Sequence, residues 1–242
     1  HSVPEKRGRP APGRPDSIGA MRPLFIVLRI AGAAGIAAAI IGQLLLSLRT
    51  WADAGIMDPT VQLVNFFSFF TIDSNVLSVA VLAIGAVLLI RGIADPRWFA
   101  VLRASATAYM ATTGIVYNVL LRGIELPQGT TLPWSNEILH VAGPILLVLD
   151  WLFAPGRIRL EWRALRALVA FPLVWGVYTL VRGPFVSDAM TGNPYWYPYP
   201  FLDPNIAPSG YLSVAFYVVV IAIVIGAAGA GILAISRRER WT

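Results

Sequence analysis

Thr71, Asp73, Ser74 and Asn75 stand together in FFSFFTIDSNVLSVAV, residues 66–81, inside a run otherwise apolar enough to cross a bilayer. Hydrocarbon offers such groups no hydrogen-bond partners, so the protein must supply them. The cluster is therefore a candidate functional site. A second polar intrusion is His140, the one histidine within an apolar run. At helical spacing Thr71, Asn75 and Ser78 share a face, and Ser68 extends the stripe one turn outward. Asp73 lies about 200° around the helix from Thr71 and is expected to point elsewhere, toward a basic or hydroxyl partner.

His140 follows Trp134-Ser135-Asn136-Glu137. Asn136 and His140 are four apart and share a face. Pro144, four beyond, lacks the amide that would bond the His140 carbonyl, so the helix is expected to loosen there. A threonine hydroxyl beside an imidazole supports nucleophilic chemistry. The imidazole takes the proton, the oxygen attacks an ester carbonyl, and the proton is returned to the leaving alcohol. Such a site also needs oxyanion donors. Asn75, Asn118 and Asn136 are candidates, with Ser78 and Tyr117 as further polar groups for oxyanion or substrate binding. Interhelical hydrogen bonding is the competing reading of these polar residues. One histidine with the scattered carboxylates Asp73 and Glu137 makes a poor metal site, and no metal or cofactor is expected.

The elements that would position these residues follow from composition. Of 242 residues, 57% are hydrophobic and 13% charged, and the mean hydropathy is +0.67. Soluble domains carry about a quarter charged residues, so the expected class is an all-α polytopic membrane protein. Cysteine is absent, which excludes disulfides and thiolate chemistry. Six runs read as membrane helices: Pro23–Leu48, Gln62–Ile90, Trp98–Leu121, Trp134–Phe153, Ala164–Val181 and Tyr211–Ile235. They form one domain over 23–236. Residues 1–22, basic and rich in Pro and Gly, are expected to be disordered, and 237–242 form a basic cytoplasmic tail. A chain opening on His1 rather than Met points to residues added ahead of a natural start, for which Met21 is a candidate.

Basic residues orient the bundle. Placing Lys6 to Arg22, Arg91, Arg97, Arg157 to Arg166 and Arg237 to Arg240 inside leaves only Arg49, Arg122 and Arg182 outside, so both termini should be cytoplasmic. The net charge of +6 thus reports topology rather than nucleic acid. Arg29 and Arg103 should snorkel to the inner surface, where either could neutralise Asp150. No internal repeat or inverted symmetry is visible, which disfavours common transporter plans. Small residues such as Gly35, Ala39 and Gly42, or Gly226, Gly229 and Ala230, are expected to pack helices closely. The outer loop 183–210 is studded with proline and aromatics. It reads as an interfacial collar, or alternatively as a semi-rigid cover over an outward-opening cavity. With entry from outside, Thr71 lies about 14 Å past Gln62 and His140 about 9 Å past Trp134, so the two sit at compatible depths.

FFTIDSN, SNEILHVAGPILLVLDWLF and WYPYPFLDP, set in this six-helix layout, resemble the androgen-induced-gene family of membrane proteins, in particular its bacterial Pr6Pr-type branch. The resemblance spans most of residues 23–236 and rests on a Thr followed later by Asn-x-x-x-His and proline. It implies a threonine hydrolase, with Thr71 as nucleophile and His140 as general base, acting on lipid esters of the fatty acid ester of hydroxy fatty acid type. The chain carries Glu137 where that resemblance leads one to expect another histidine, and adds Asp73, Ser74 and Asn75.

The leading expectation is an intramembrane hydrolase, multi-pass in the cell (inner) membrane, whose lipid or lipid-like ester enters through a gap between helices. The alternatives are a non-enzymatic carrier or lipid-binding protein with a polar cavity, and a purely structural membrane protein.

Overall fold

The computed structural model describes residues 17–124 and 131–238, with side chains from Met21 onward. Eight α-helices lie among them: α1 (Ser17–Asp53), α2 (Thr60–Phe66), α3 (Phe70–Arg91), α4 (Arg97–Val116), α5 (Pro133–Glu137), α6 (Gly143–Phe153), α7 (Leu165–Arg182) and α8 (Tyr211–Ser236). A π turn, Tyr117–Leu121, prolongs α4, and another, Ile138–Ala142, fuses α5 to α6. Residues 1–16 and 239–242, assigned to the terminal tails, lie outside the described residues. Ser17–Arg22, expected as part of the disordered tail, instead open α1, so Pro23 falls inside a helix.

Five spans are long and apolar enough to cross a membrane: Met21–Asp53, Phe70–Arg91, Pro133–Phe153, Trp162–Phe185 and Tyr211–Ser236. The third expected run, α4, falls short of that hydropathy because it is the bundle's centre. It packs against α3, α6, α7 and α8. Its Arg103, Ser105, Thr107, Thr112 and Thr113 are buried in protein. Helix faces buried against protein can carry polar side chains that lipid would not tolerate.

One end of the bundle gathers the basic residues. Arg22 donates to Leu89 O, Asp95 N to Gly156 O, and Arg237 to Leu160 O. The start of α1, the α3–α4 and α6–α7 turns and the end of α8 therefore lie together. Arg49 near the end of α1, Arg182 at the last position of α7 and Arg122 just past the π turn mark the opposite helix ends. Arg29 and Arg103 do not snorkel. Both are buried, and both hold Asp150: Arg29 Nε is 2.7 Å from Oδ1 and Arg103 Nε 2.9 Å from Oδ2. Of the small residues, Gly42 meets Trp134 and Gly229 meets Leu165, whereas Gly35 and Gly226 face open space.

The second expected run is not one helix. It breaks at residues 67–69, where Phe69 takes an extended conformation (ψ 126°). The freed groups find distant partners: Trp175 Nε1 donates to Ser68 O (3.0 Å), and Thr71 N donates to the Tyr199 hydroxyl (3.2 Å). Ser68 thus leaves the predicted stripe. Its hydroxyl donates to Val64 O and lies 3.0 Å from the Tyr178 hydroxyl.

Candidate active site

The break moves Thr71 from mid-helix to the first turn of α3. There, helix amides lack partners within the helix and the dipole favours negative charge. On the facing strand of the bundle, the π turn carries His140. Thr71 Oγ1 lies 3.3 Å from His140 Nε2. The compatible depths read from the sequence are therefore a real contact. Loosening at His140 is also real, but its carbonyl is not free: Asn118 Nδ2 approaches it at 3.4 Å.

Proton positions in this contact are dictated by partners. His140 Nδ1 faces the Asn136 carbonyl at 3.0 Å, which only accepts, so Nδ1 carries the hydrogen of the neutral ring. Nε2 then presents a lone pair, and the Thr71 hydroxyl must donate to it. The Tyr199 hydroxyl lies 3.2 Å from Thr71 Oγ1. Since threonine's one proton is committed to His140, Tyr199 donates to Thr71. The result is a directed chain, Tyr199 to Thr71 to His140 to the Asn136 carbonyl.

The remaining predicted residues support the site rather than face it. Asn75 Nδ2 donates to Thr71 O (2.8 Å) and Leu139 O (3.2 Å), tying α3 to the π turn. Ser78 returns its hydroxyl to Ser74 O, and Ser74 bonds Phe70 O and meets Thr113 Oγ1. Asn136 Nδ2 donates to the Tyr117 hydroxyl. The Tyr117 ring in turn stacks on His140, with centroids 4.1 Å apart. Asn118 donates to Gly114 O and accepts from Arg122, on the exposed outer surface. Asn75, Asn118 and Ser78 thus spend their donors on nearby carbonyls, and Asn136 directs its amide at the Tyr117 hydroxyl.

Asp73 lacks the expected partner: among the described residues its half-buried carboxylate makes no hydrogen bond or ion pair, and it lies close enough to Tyr199 for its charge to act on that phenol. Glu137 is exposed and pairs with Arg122 at 3.1 Å. Asp73, Glu137 and His140 therefore do not gather as metal ligands, and no group of three such residues does so among the described residues.

The outer loop folds back onto the bundle: its own Trp196, Tyr197, Tyr199 and Leu202 are buried, while Phe185 and Ile206 remain exposed. Tyr199 is wedged by Phe69, edge-on at 5.5 Å, and Phe201, stacked at 5.1 Å. Burial pushes its phenol up to about 12, against the opposing effect of its bonds to Thr71, so it stays protonated at neutral pH. No periodicity singles out this tyrosine among the loop's aromatics.

Beside Thr71 opens a cavity of about 320 Å³. Its walls come from α4, α7 and α8, and Phe201 and Leu202 cap it. The lining is apolar apart from Thr71, Thr112, Thr113, Tyr117 and Tyr199. Leu173 and Val177 on α7 line it and are also exposed on the bundle's flank, as is Val218 on α8. Between those two α7 residues, Gly176 leaves open space. The cavity thus reaches the flank between α7 and α8, and Thr71 is one of its few polar lining residues. Comparison with family models, curated proteins and solved structures finds no match to this chain.

Proposed function

We propose that the chain is an intramembrane hydrolase of lipid esters, of the fatty acid ester of hydroxy fatty acid type suggested by the resemblance to the androgen-induced-gene family. Thr71 is the nucleophile and His140 the general base. The observation that carries this reading is the Thr71–His140 contact, with the histidine tautomer fixed by Asn136 and Thr71 lining an apolar cavity. In the proposed topology α4 is a sixth span packed among four of the other five, and the basic end of the bundle with both termini is cytoplasmic.

The mechanism follows from the proton chain. The acyl group lies in the cavity, having entered from the bilayer between α7 and α8. His140 Nε2 takes the Thr71 proton as Oγ1 bonds the ester carbon, and then returns it to the departing hydroxyl-bearing product. Water, deprotonated by the same nitrogen, attacks the acyl-threonine. The Thr71–carbon bond breaks, and the proton passes back to Oγ1. Burial of Thr71 in a largely apolar surrounding strengthens each of these electrostatic steps.

The test is made on detergent-purified protein with acyl esters of increasing length and with a fluorophosphonate probe. Thr71→Ala and His140→Ala are expected to abolish hydrolysis while leaving a folded protein, and the probe is expected on Thr71. Full activity in either variant ends the reading. A carrier would instead leave the probe unbound and move lipid across proteoliposomes. The nearly apolar lining of the cavity favours an acyl chain over a polar headgroup.

A further inference from the structure

Ester hydrolysis by a Thr–His pair leaves one requirement unmet: donors for the oxyanion that forms when the carbonyl is attacked. Asn75 spends both of its N–H groups on Thr71 O and Leu139 O, and Asn136 directs its amide at Tyr117. Two other donors converge on the nucleophile. The Thr71 amide occupies the second position of α3, where no intrahelical acceptor exists. The Tyr199 hydroxyl lies 3.2 Å from that nitrogen and 3.2 Å from Thr71 Oγ1. Thr71 and Tyr199 both line the cavity.

We infer that Tyr199 is a catalytic residue, its phenol O–H and the Thr71 N–H together forming the oxyanion hole. The inference rests on the Thr71–His140 reading. In the resting site the two donors occupy each other: the amide donates to the phenol oxygen, and the phenol donates to Thr71 Oγ1. As Oγ1 bonds the ester carbon, the carbonyl π pair moves to its oxygen. That oxygen takes the place of Oγ1 as acceptor for the phenol and receives the amide hydrogen as well. No proton leaves Tyr199. When the carbonyl re-forms and expels the alcohol, which takes its proton from His140, the phenol turns back to Thr71. The same cycle serves deacylation.

The tyrosine comes from the outer loop, so the loop completes the site as well as covering it. The ring is clamped by Phe69 and Phe201, and its position does not depend on the hydroxyl. Tyr199→Phe therefore removes the donor while keeping the wedge.

The experiment measures kcat and KM for a medium-chain p-nitrophenyl ester, the rate of fluorophosphonate labelling, and thermal stability, on full-length protein in detergent. The expected result for Tyr199→Phe is a kcat lower by roughly 100- to 1,000-fold, KM within about twofold, and labelling of Thr71 slowed to a similar degree. The melting temperature should stay near wild type, and Tyr199→Ala should not be faster than Tyr199→Phe. A Tyr199→Phe kcat within about threefold of wild type, with Thr71→Ala inactive, overturns the oxyanion role and leaves the Thr–His reading standing. A Tyr199→Phe protein that has lost its thermal stability along with its activity also overturns it, because the tyrosine is then only a support. Wild-type protein that neither hydrolyses nor labels at Thr71 ends both readings together.

Discussion

Two polar clusters interrupt the same apolar bundle, one toward each end. The Thr71–His140 site and the Arg29–Arg103–Asp150–Asp95 network both join α3, α4 and the α5–α6 unit. Along α3 they stand about 21 Å apart, the distance from Thr71 to Gly85, whose carbonyl accepts from Arg29 at 2.7 Å. In the basic-end network every charge is matched and nothing is left to react. Two arginines face two aspartates, and the remaining arginine nitrogens go to the Gly85 and Asp150 carbonyls. The cavity beside Thr71 does not reach it. In the Thr71 site the reacting groups are neutral, the hydrogen bonds of the Thr71 hydroxyl and amide run 3.2–3.3 Å, and the apolar cavity lies alongside. Saturation marks the cluster that holds the fold. Longer contacts around a hydroxyl, beside empty space, mark the one that can exchange partners with a ligand.

The sharpest way to break that contrast is to unbalance the saturated cluster. Asp150→Ala leaves Arg29 without a carboxylate and Arg103 with Asp95 alone. Removing one partner of a buried ion pair costs about 3–5 kcal/mol, because the stranded charge stays buried. The folded fraction and melting temperature in detergent should collapse. Thr71→Ala, which deletes one neutral hydroxyl, should shift stability by only about 0.5–1.5 kcal/mol. Equal stability of the two variants would remove the distinction between a structural and a chemical cluster.

A smaller effect sharpens the role of the cavity. Gly176→Leu puts a side chain where a Cβ meets nothing, at the α7 flank of the space beside Thr71. Lost room for one or two methylenes discriminates by about 1–3 kcal/mol. Hydrolysis of long acyl esters should fall roughly 10- to 100-fold in kcat/KM, while butyryl esters are little affected. A uniform loss across chain lengths would place the acyl group somewhere else.

These contrasts also explain which parts were legible in the sequence. The helices were, because long apolar runs have few other fates, and so was the Asp150 pairing, because a buried carboxylate needs cations. The Thr71–His140 meeting was legible from depth alone. The break at residues 67–69 was not. FFSFF contains no proline or glycine, and the gap is held by Trp175 from α7 and Tyr199 from the outer loop, more than a hundred residues away. Helical periodicity also misjudged the donors. It shows which face Ser78 and Asn75 occupy but not that Ser78 returns its hydroxyl to the preceding turn and Asn75 caps Thr71 O. Tyr199 was hidden for the same reason as the break: a loop without a period gives no face to read.

The smallest expected effect concerns the third polar pair, Arg122 and Glu137, one turn from His140. Both side chains are about half exposed, at 46% and 52%, so solvent screens their attraction. Surface pairs of this kind contribute about 0–1 kcal/mol. Glu137 is also where the family resemblance leads one to expect a histidine, so its role is worth separating from that of His140. Glu137→Gln keeps the size and should change the melting temperature by no more than a degree or two and kcat by about twofold or less, because the orientation of His140 is set by the Asn136 carbonyl and the Tyr117 ring. A loss of activity comparable to that of His140→Ala would mean that Glu137 acts on the imidazole through the short helical turn between them. The catalytic unit would then reach beyond the neutral, cavity-facing groups, and the contrast with the ionic network would have to be redrawn around charge.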